Sequence, residues 1–348
     1  MKKERIFYMD FVRTIGTLII IIFHFNISIG VRQLSSFSIL KNDFANGNLA
    51  YIGVPIFFIL SGAALMYSNS GDFSVAKFYK KRVRATYPMF WVAYVVVFLY
   101  YFMRYATIHP FTEPPKRWTF LLTILGLDGY TSSITVNYYL IGEWFLGCII
   151  LMYLMFPILY WGVTKHPIWC WIPVVAIYVI LTYNYVLPTP MTQDVFMRLP
   201  EFLFGMYIGK YYKKIDLKVF LAACLGLIIM LFVPLDMIPQ MFKITFLGIC
   251  SFMVLAYIGQ IFKGERLKPI FLWFSKYSFA VYLLHHVISE QIISRFEGRM
   301  LSAAEVCTLF CLVVILDCVG GFYLHKGTTY ILNALKSNKL TNCLGKRL

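Results

Sequence analysis

Three ionisable residues stand inside one apolar run near the start of the chain, FYMDFVRTIGTLIIIIFHFNISIG (Phe7 to Gly30): Asp10, Arg13 and His24. Each is costly at bilayer depth, at least ~2.5 kcal/mol on insertion scales, so such groups normally face a bundle interior and mark a functional site. Arg13 and His24 lie eleven positions apart. Eleven steps of about 100° come within roughly 20° of whole turns, so the two share a helix face, with the histidine roughly 16 Å further along the axis. A neutral imidazole there suits a general base or an acyl-handling group, and the guanidinium suits an anion site or a partner for Asp10. The plainer account has Arg13 reaching back to the membrane surface and His24 bonded to a neighbouring helix. The segment alone leaves both readings open.

Five later stretches carry similar choices. In VPIFFILSGAALMYS (Val54 to Ser68), Ser61 and Gly62 are small residues of the kind that let helices approach closely. KFYKKRVRATYP (Lys77 to Pro88) is a dense basic loop, read either as a topology signal that binds anionic lipid or as a site for a polyphosphorylated ligand. Glu143 in IGEWFLG stands at the mouth of a later span, while Arg198 and Glu201 in RLPEFLFG are three apart and pair on a helix, fixing its packing. KYSFAVYLLHHVI aligns Ser278, Tyr282 and His285 on one polar face that should line a cavity or an interhelical network. There is no glycine-rich phosphate loop, no GxSxG and no metal-ligand spacing, so no metal is expected.

The elements that must position these residues are membrane helices. The 348 residues are 60% hydrophobic, 18% aromatic and 14% charged, with a mean hydropathy of +0.71. Their apolar runs are too continuous for an outer-membrane barrel and, in the first case, too long for a signal peptide. A net charge of +16 would fit a nucleic-acid binder, but the basic residues cluster in short loops, as positive-inside orientation requires. The eight cysteines mostly fall in apolar spans without CxxC and read as buried hydrophobes.

An all-α polytopic bundle of ten helices is predicted at about 8–30, 50–68, 85–103, 140–163, 168–187, 196–212, 219–234, 243–262, 269–293 and 303–325. Both termini are then cytoplasmic: the inner segments carry 21 Lys and Arg against nine in the outer ones. Pro88, Pro167, Pro188, Pro190, Pro234 and Pro269 are expected near helix ends, and Pro157 inside the fourth span, where it kinks the helix. The outer connection 104–139 holds WTFLLTILGL, which at ten residues cannot span and is expected to be re-entrant or interfacial. Residues 1–330 are expected to form a single transmembrane domain and 331–348 a short basic cytoplasmic tail. Buried charges in such a bundle also suit a transporter of polysaccharide or lipid-linked intermediates, although paired broken helices in two related halves are absent.

In sequence these segments resemble the acyltransferase-3 family of integral membrane acyltransferases over essentially the whole chain. The most specific element is an Arg, ten residues, then a His on the first helix, here Arg13 and His24, preceded by Asp10. The others are VPIFFILSGAAL, KKRVRATYP, EWFLGCIILMYLMFP, RLPEFLFG and YSFAVYLLH. The resemblance implies that His24 and Arg13, with Asp10, carry acyl transfer. It also implies that Lys81, Arg82 and Arg84 hold the donor, and that Glu143, Trp144, Arg198, Glu201, Tyr282 and His285 support these groups or an acceptor pocket. The family's usual RxxR becomes Lys81 with Arg84 here, because Ala85 stands three positions after Arg82. The implied reaction moves an acyl group, most often acetyl from acetyl-CoA, to a hydroxyl of an extracytoplasmic glycan. The implied setting is the plasma or inner membrane, with lipids and glycan as partners and no nucleic acid. A succinyl donor is an alternative, and the chain is most similar to stand-alone members without a C-terminal hydrolase-like domain.

Overall fold

The computed structural model describes residues 4–71, 73–106, 114–212 and 214–344. The inner-side basic residues Lys2, Lys3, Lys213, Lys346 and Arg347 lie outside the described residues, as do 107–113 of the outer connection and the end of the tail. Among the described residues, twelve α-helices follow in order. They are α1 (Phe7–Val31), α2 (Ala50–Ser68), α3 (Val75–Tyr105), α4 (Phe120–Ile124), α5 (Asp128–Thr131), α6 (Glu143–Lys165), α7 (Trp171–Tyr183), α8 (Val195–Tyr211), α9 (Leu217–Phe232), α10 (Gln240–Ile261), α11 (Lys268–Ile293) and α12 (Ala303–Leu344). A two-residue hairpin, β1 (Asp43–Phe44) and β2 (Gly47–Asn48), joins α1 to α2. Among the described residues, α1, α2, α3, α6, α10 and α12 are long and apolar enough to cross a membrane.

Several boundaries differ from the sequence expectation, each for a local reason. The basic stretch Lys77–Arg84 is not a loop: Ser74 caps α3 by accepting the Lys77 N–H, so helix begins ten residues earlier than 85 and the cationic side chains ride on its first turns. Pro88 therefore lies inside α3, as Pro55 and Pro200 lie inside α2 and α8. Pro157 is inside α6, where it was expected. α12 continues through Leu344, so most of the expected tail is helix. WTFLLTILGL forms a 3-10 turn and α4; it lies against α3, where the Tyr87 hydroxyl and the Trp91 indole N–H donate to the carbonyls of Leu125 and Ile124. The cysteines divide: Cys148 and Cys250 are buried as expected, but Cys307 and Cys311 are exposed on the outward face of α12.

α1 is the central post, packed between α2, α10 and α11. In a lipid-facing bundle, tails are as apolar as leucine, so close van der Waals packing holds helices together. The α2–α8 pair shows how. A Cβ on Gly62 would strike the Phe202 carbonyl, and one on Gly205 or Gly209 would strike the carbonyls of Ile59 or Ala63. Three glycines thus let two backbones touch, which is the close-packing role read for Gly62 in the sequence. Large apolar side chains point the other way, outward from α3 (Val95, Leu99, Met103), α9 (Leu225, Phe232) and α12 (Ile315, Val319, Tyr323).

Candidate active site

The side chains with chemistry converge where α1, α6 and α11 meet. One cavity of about 320 Å³ is lined by Arg13, Thr17 and His24 of α1, Ser61 of α2, Arg82 and Thr86 of α3, Glu143, Trp144 and Tyr153 of α6, and Ser275, Lys276, Ser278, Tyr282 and His285 of α11. The shared face of Arg13 and His24 is therefore real, and so is the Ser278, Tyr282, His285 face. A shallower groove bearing Lys77, Lys80, Lys81 and Arg84 adjoins it, with Ala85 on the walls of both.

At one end of the cavity, Asp10 anchors a small network. Its carboxylate accepts from Arg5 Nε at 2.7 Å and Nη2 at 2.8 Å, and from the Ser275 hydroxyl at 2.5 Å. Arg13 Nη1 donates to Ser275 Oγ at 3.2 Å and lies 4.0 Å from Asp10. Asp10 is buried behind the wall and does not line the cavity. It acts by holding Ser275 and, through it, Arg13, which presents its charge to the cavity rather than to the membrane surface. The fork of Arg5 satisfies a carboxylate that would otherwise be a bare charge in a dry bundle.

Toward the other end, Glu143 gathers three histidines. Its Oε1 lies 2.7 Å from His286 Nε2, 3.5 Å from His24 Nε2 and 3.7 Å from His285 Nε2, and His286 Nε2 is 3.0 Å from His24 Nδ1. Backbone geometry aims this carboxylate. Gly142 has φ +86° and Glu143 itself φ +43°, two consecutive left-handed residues that turn the chain sharply into α6. A non-glycine residue in that region is strained, and strain of this kind collects at functional sites. The Tyr282 hydroxyl accepts the free N–H of Leu146 in the same first turn, so α11 also fixes the start of α6.

The basic cluster divides in three dimensions. Arg82 reaches the cavity, with its guanidinium 5.8 Å from the Tyr153 ring and its Nε buried without a hydrogen-bond partner. Lys81 and Arg84 stay in the adjoining groove. Arg198 and Glu201 are elsewhere: fully buried, 2.9 Å apart and not lining the cavity, with the Trp144 and Phe58 rings 5.9 and 6.0 Å from the guanidinium. Arg198 also donates to the Thr192 carbonyl, and the Thr245 hydroxyl donates to Glu201. Their geometry is that of a packing clamp, as their spacing implies.

Sequence reasoning missed His286, Ser275, Thr17 and Arg5. His286 adjoins a residue that was singled out, but one step along a helix turns about 100° away from the Ser278–His285 face. Its signal was the His-His pair itself. His24, Glu143, His285 and His286 present donor atoms that all fall within 4.8 Å of one another, a grouping able to hold a metal ion.

A family model described as an acyltransferase domain matches residues 6–320. No curated protein and no solved structure matches the chain.

Proposed function

We propose, from the premise that this chain belongs to the acyltransferase-3 family and is a membrane acyltransferase, that it moves an acetyl group from cytoplasmic acetyl-CoA to a hydroxyl of an extracytoplasmic glycan or its lipid-linked precursor. The observation that carries this reading is that the basic groove and the cavity share a wall at Ala85. Cationic side chains suited to CoA phosphates lead past Ala85 and Arg82 to Arg13 and His24. In this reading ten helices cross the inner or plasma membrane with both termini cytoplasmic, so the groove faces the CoA pool.

The chemistry follows from the side chains. His24 takes the proton of the acceptor hydroxyl as its oxygen attacks the thioester carbonyl. The new C–O bond forms, the C–S bond breaks, and the departing thiolate recovers a proton from the imidazolium. Glu143, 3.5 Å from His24 Nε2, stabilises the charged form of the imidazole; Arg13 and Arg82 offset the negative charge carried by the donor's phosphates. His24→Ala should abolish transfer of label from acetyl-CoA in membranes while the protein still accumulates. Normal glycan acylation in that variant would reject the reading. Loss of O-acetyl groups with polymer export unchanged separates transfer from transport.

A further inference from the structure

We infer that His24, Glu143, His285 and His286 form a binding site for a zinc-class divalent transition-metal ion. The inference stands on donor geometry and holds whether or not acetyl-CoA is the donor. His285 carries it. Its Nδ1 is 2.7 Å from the Tyr282 carbonyl, which can only accept, so the ring proton sits on Nδ1 and the Nε2 lone pair is bare. That Nε2 is buried, without a hydrogen-bond partner, and faces Glu143 Oε1 across 3.7 Å; Oε1 likewise has no aligned hydrogen bond. Two buried lone pairs aimed at one another in a side chain that is 2% exposed repel unless a cation lies between them. An imidazole fixed by an Nδ1–H to backbone carbonyl bond is also the usual arrangement of a metal ligand.

The spacing fits. Tetrahedral Zn²⁺ with bonds of about 2.0–2.1 Å separates its ligand atoms by about 3.3 Å. The three Nε2 atoms stand 2.7, 3.5 and 3.7 Å from the glutamate oxygen, and the four residues' donor atoms fall within 4.8 Å of one another, so closure needs shifts of about 0.6 Å or less in the three pairs with Glu143. Three imidazoles and one carboxylate select zinc, cobalt or nickel over magnesium or calcium, which favour oxygen shells. A bound ion takes up a lone pair of His24, so an occupied site and a free His24 base exclude each other, and the metal would act as an inhibitor of transfer.

The test uses the full chain in detergent, stripped with a chelator and titrated with Co²⁺. One equivalent should bind with the absorption of a tetrahedral ion, be displaced by Zn²⁺ and not by Mg²⁺, and show imidazole ligands by X-ray absorption. Glu143→Gln and His285→Gln should each weaken Co²⁺ binding at least ~10-fold with the thermal transition retained. Absence of stoichiometric binding to the unaltered chain, an all-oxygen octahedral shell, or equal binding in both folded variants would overturn the inference. Should a variant fail to fold, the ligand count in the unaltered chain decides. Failure of acetyl transfer leaves this binding measurement intact, and an empty site leaves the transfer assay intact.

Discussion

Arg198 with Glu201 on α8, and His24 with Glu143, His285 and His286 across α1, α6 and α11, both place ionisable side chains inside the bundle, but they are finished differently. The α8 pair is shut in the interior away from the cavity: the guanidinium donates to Glu201 and Thr192, Thr245 donates to Glu201 Oε1, Glu201 Oε2 is buried without a partner, and neither Arg198 nor Glu201 lines the cavity. The histidine group is open, bordered by a cavity of about 320 Å³ and left with unpaired atoms on Glu143 and His285. Burial alone does not mark chemistry. A buried charge shut away from any cavity serves packing, whereas one that borders space can serve a substrate or an ion.

Substitutions can break that contrast. The largest effect on transfer is expected at His24→Ala, a loss of about 10²–10⁴-fold in the rate of label transfer, as for removal of a general base, with the melting temperature in detergent nearly unchanged. Arg198→Met should do the reverse. Stranding Glu201 in a dry interior costs about 3–5 kcal/mol, read as a lowered thermal or denaturant midpoint, while protein that remains folded keeps its rate per molecule. Equal rate loss in both would erase the distinction. Glu143→Gln keeps the shape but removes the charge beside three histidines, and the expected fall is about 10–100-fold in kcat with KM for the donor little changed. The smallest and most selective effect is expected at Arg82→Ala, which should raise KM for acetyl-CoA about tenfold, one charge-assisted contact; Lys77→Ala, in the exposed groove, should shift it less.

Much of the helical order was legible because it depends on local properties. Apolar runs give spans, and the helical period placed Arg13 with His24, and Ser278 with Tyr282 and His285, on the faces where they are found. Boundaries were less legible where the apolar signal conflicted with helix propensity. Lys77–Arg84 is poor lipid-facing sequence but good helix, so a hydropathy reading starts α3 at 85 whereas the helix begins at the Ser74 cap.

The sequence by itself determined which side chains each helix presents together, since phase within one helix is fixed by a rotation of about 100° per residue. Only the tertiary structure decided which faces meet. The approach of α1, α6 and α11 brought His286 to Glu143 from outside the polar stripe, divided Arg82 from Lys81 and Arg84, and set Asp10 behind the wall rather than in the cavity. Those outcomes depend on close packing between helices far apart in the chain and on two left-handed residues at Gly142 and Glu143. Neither is encoded in the period of any single segment.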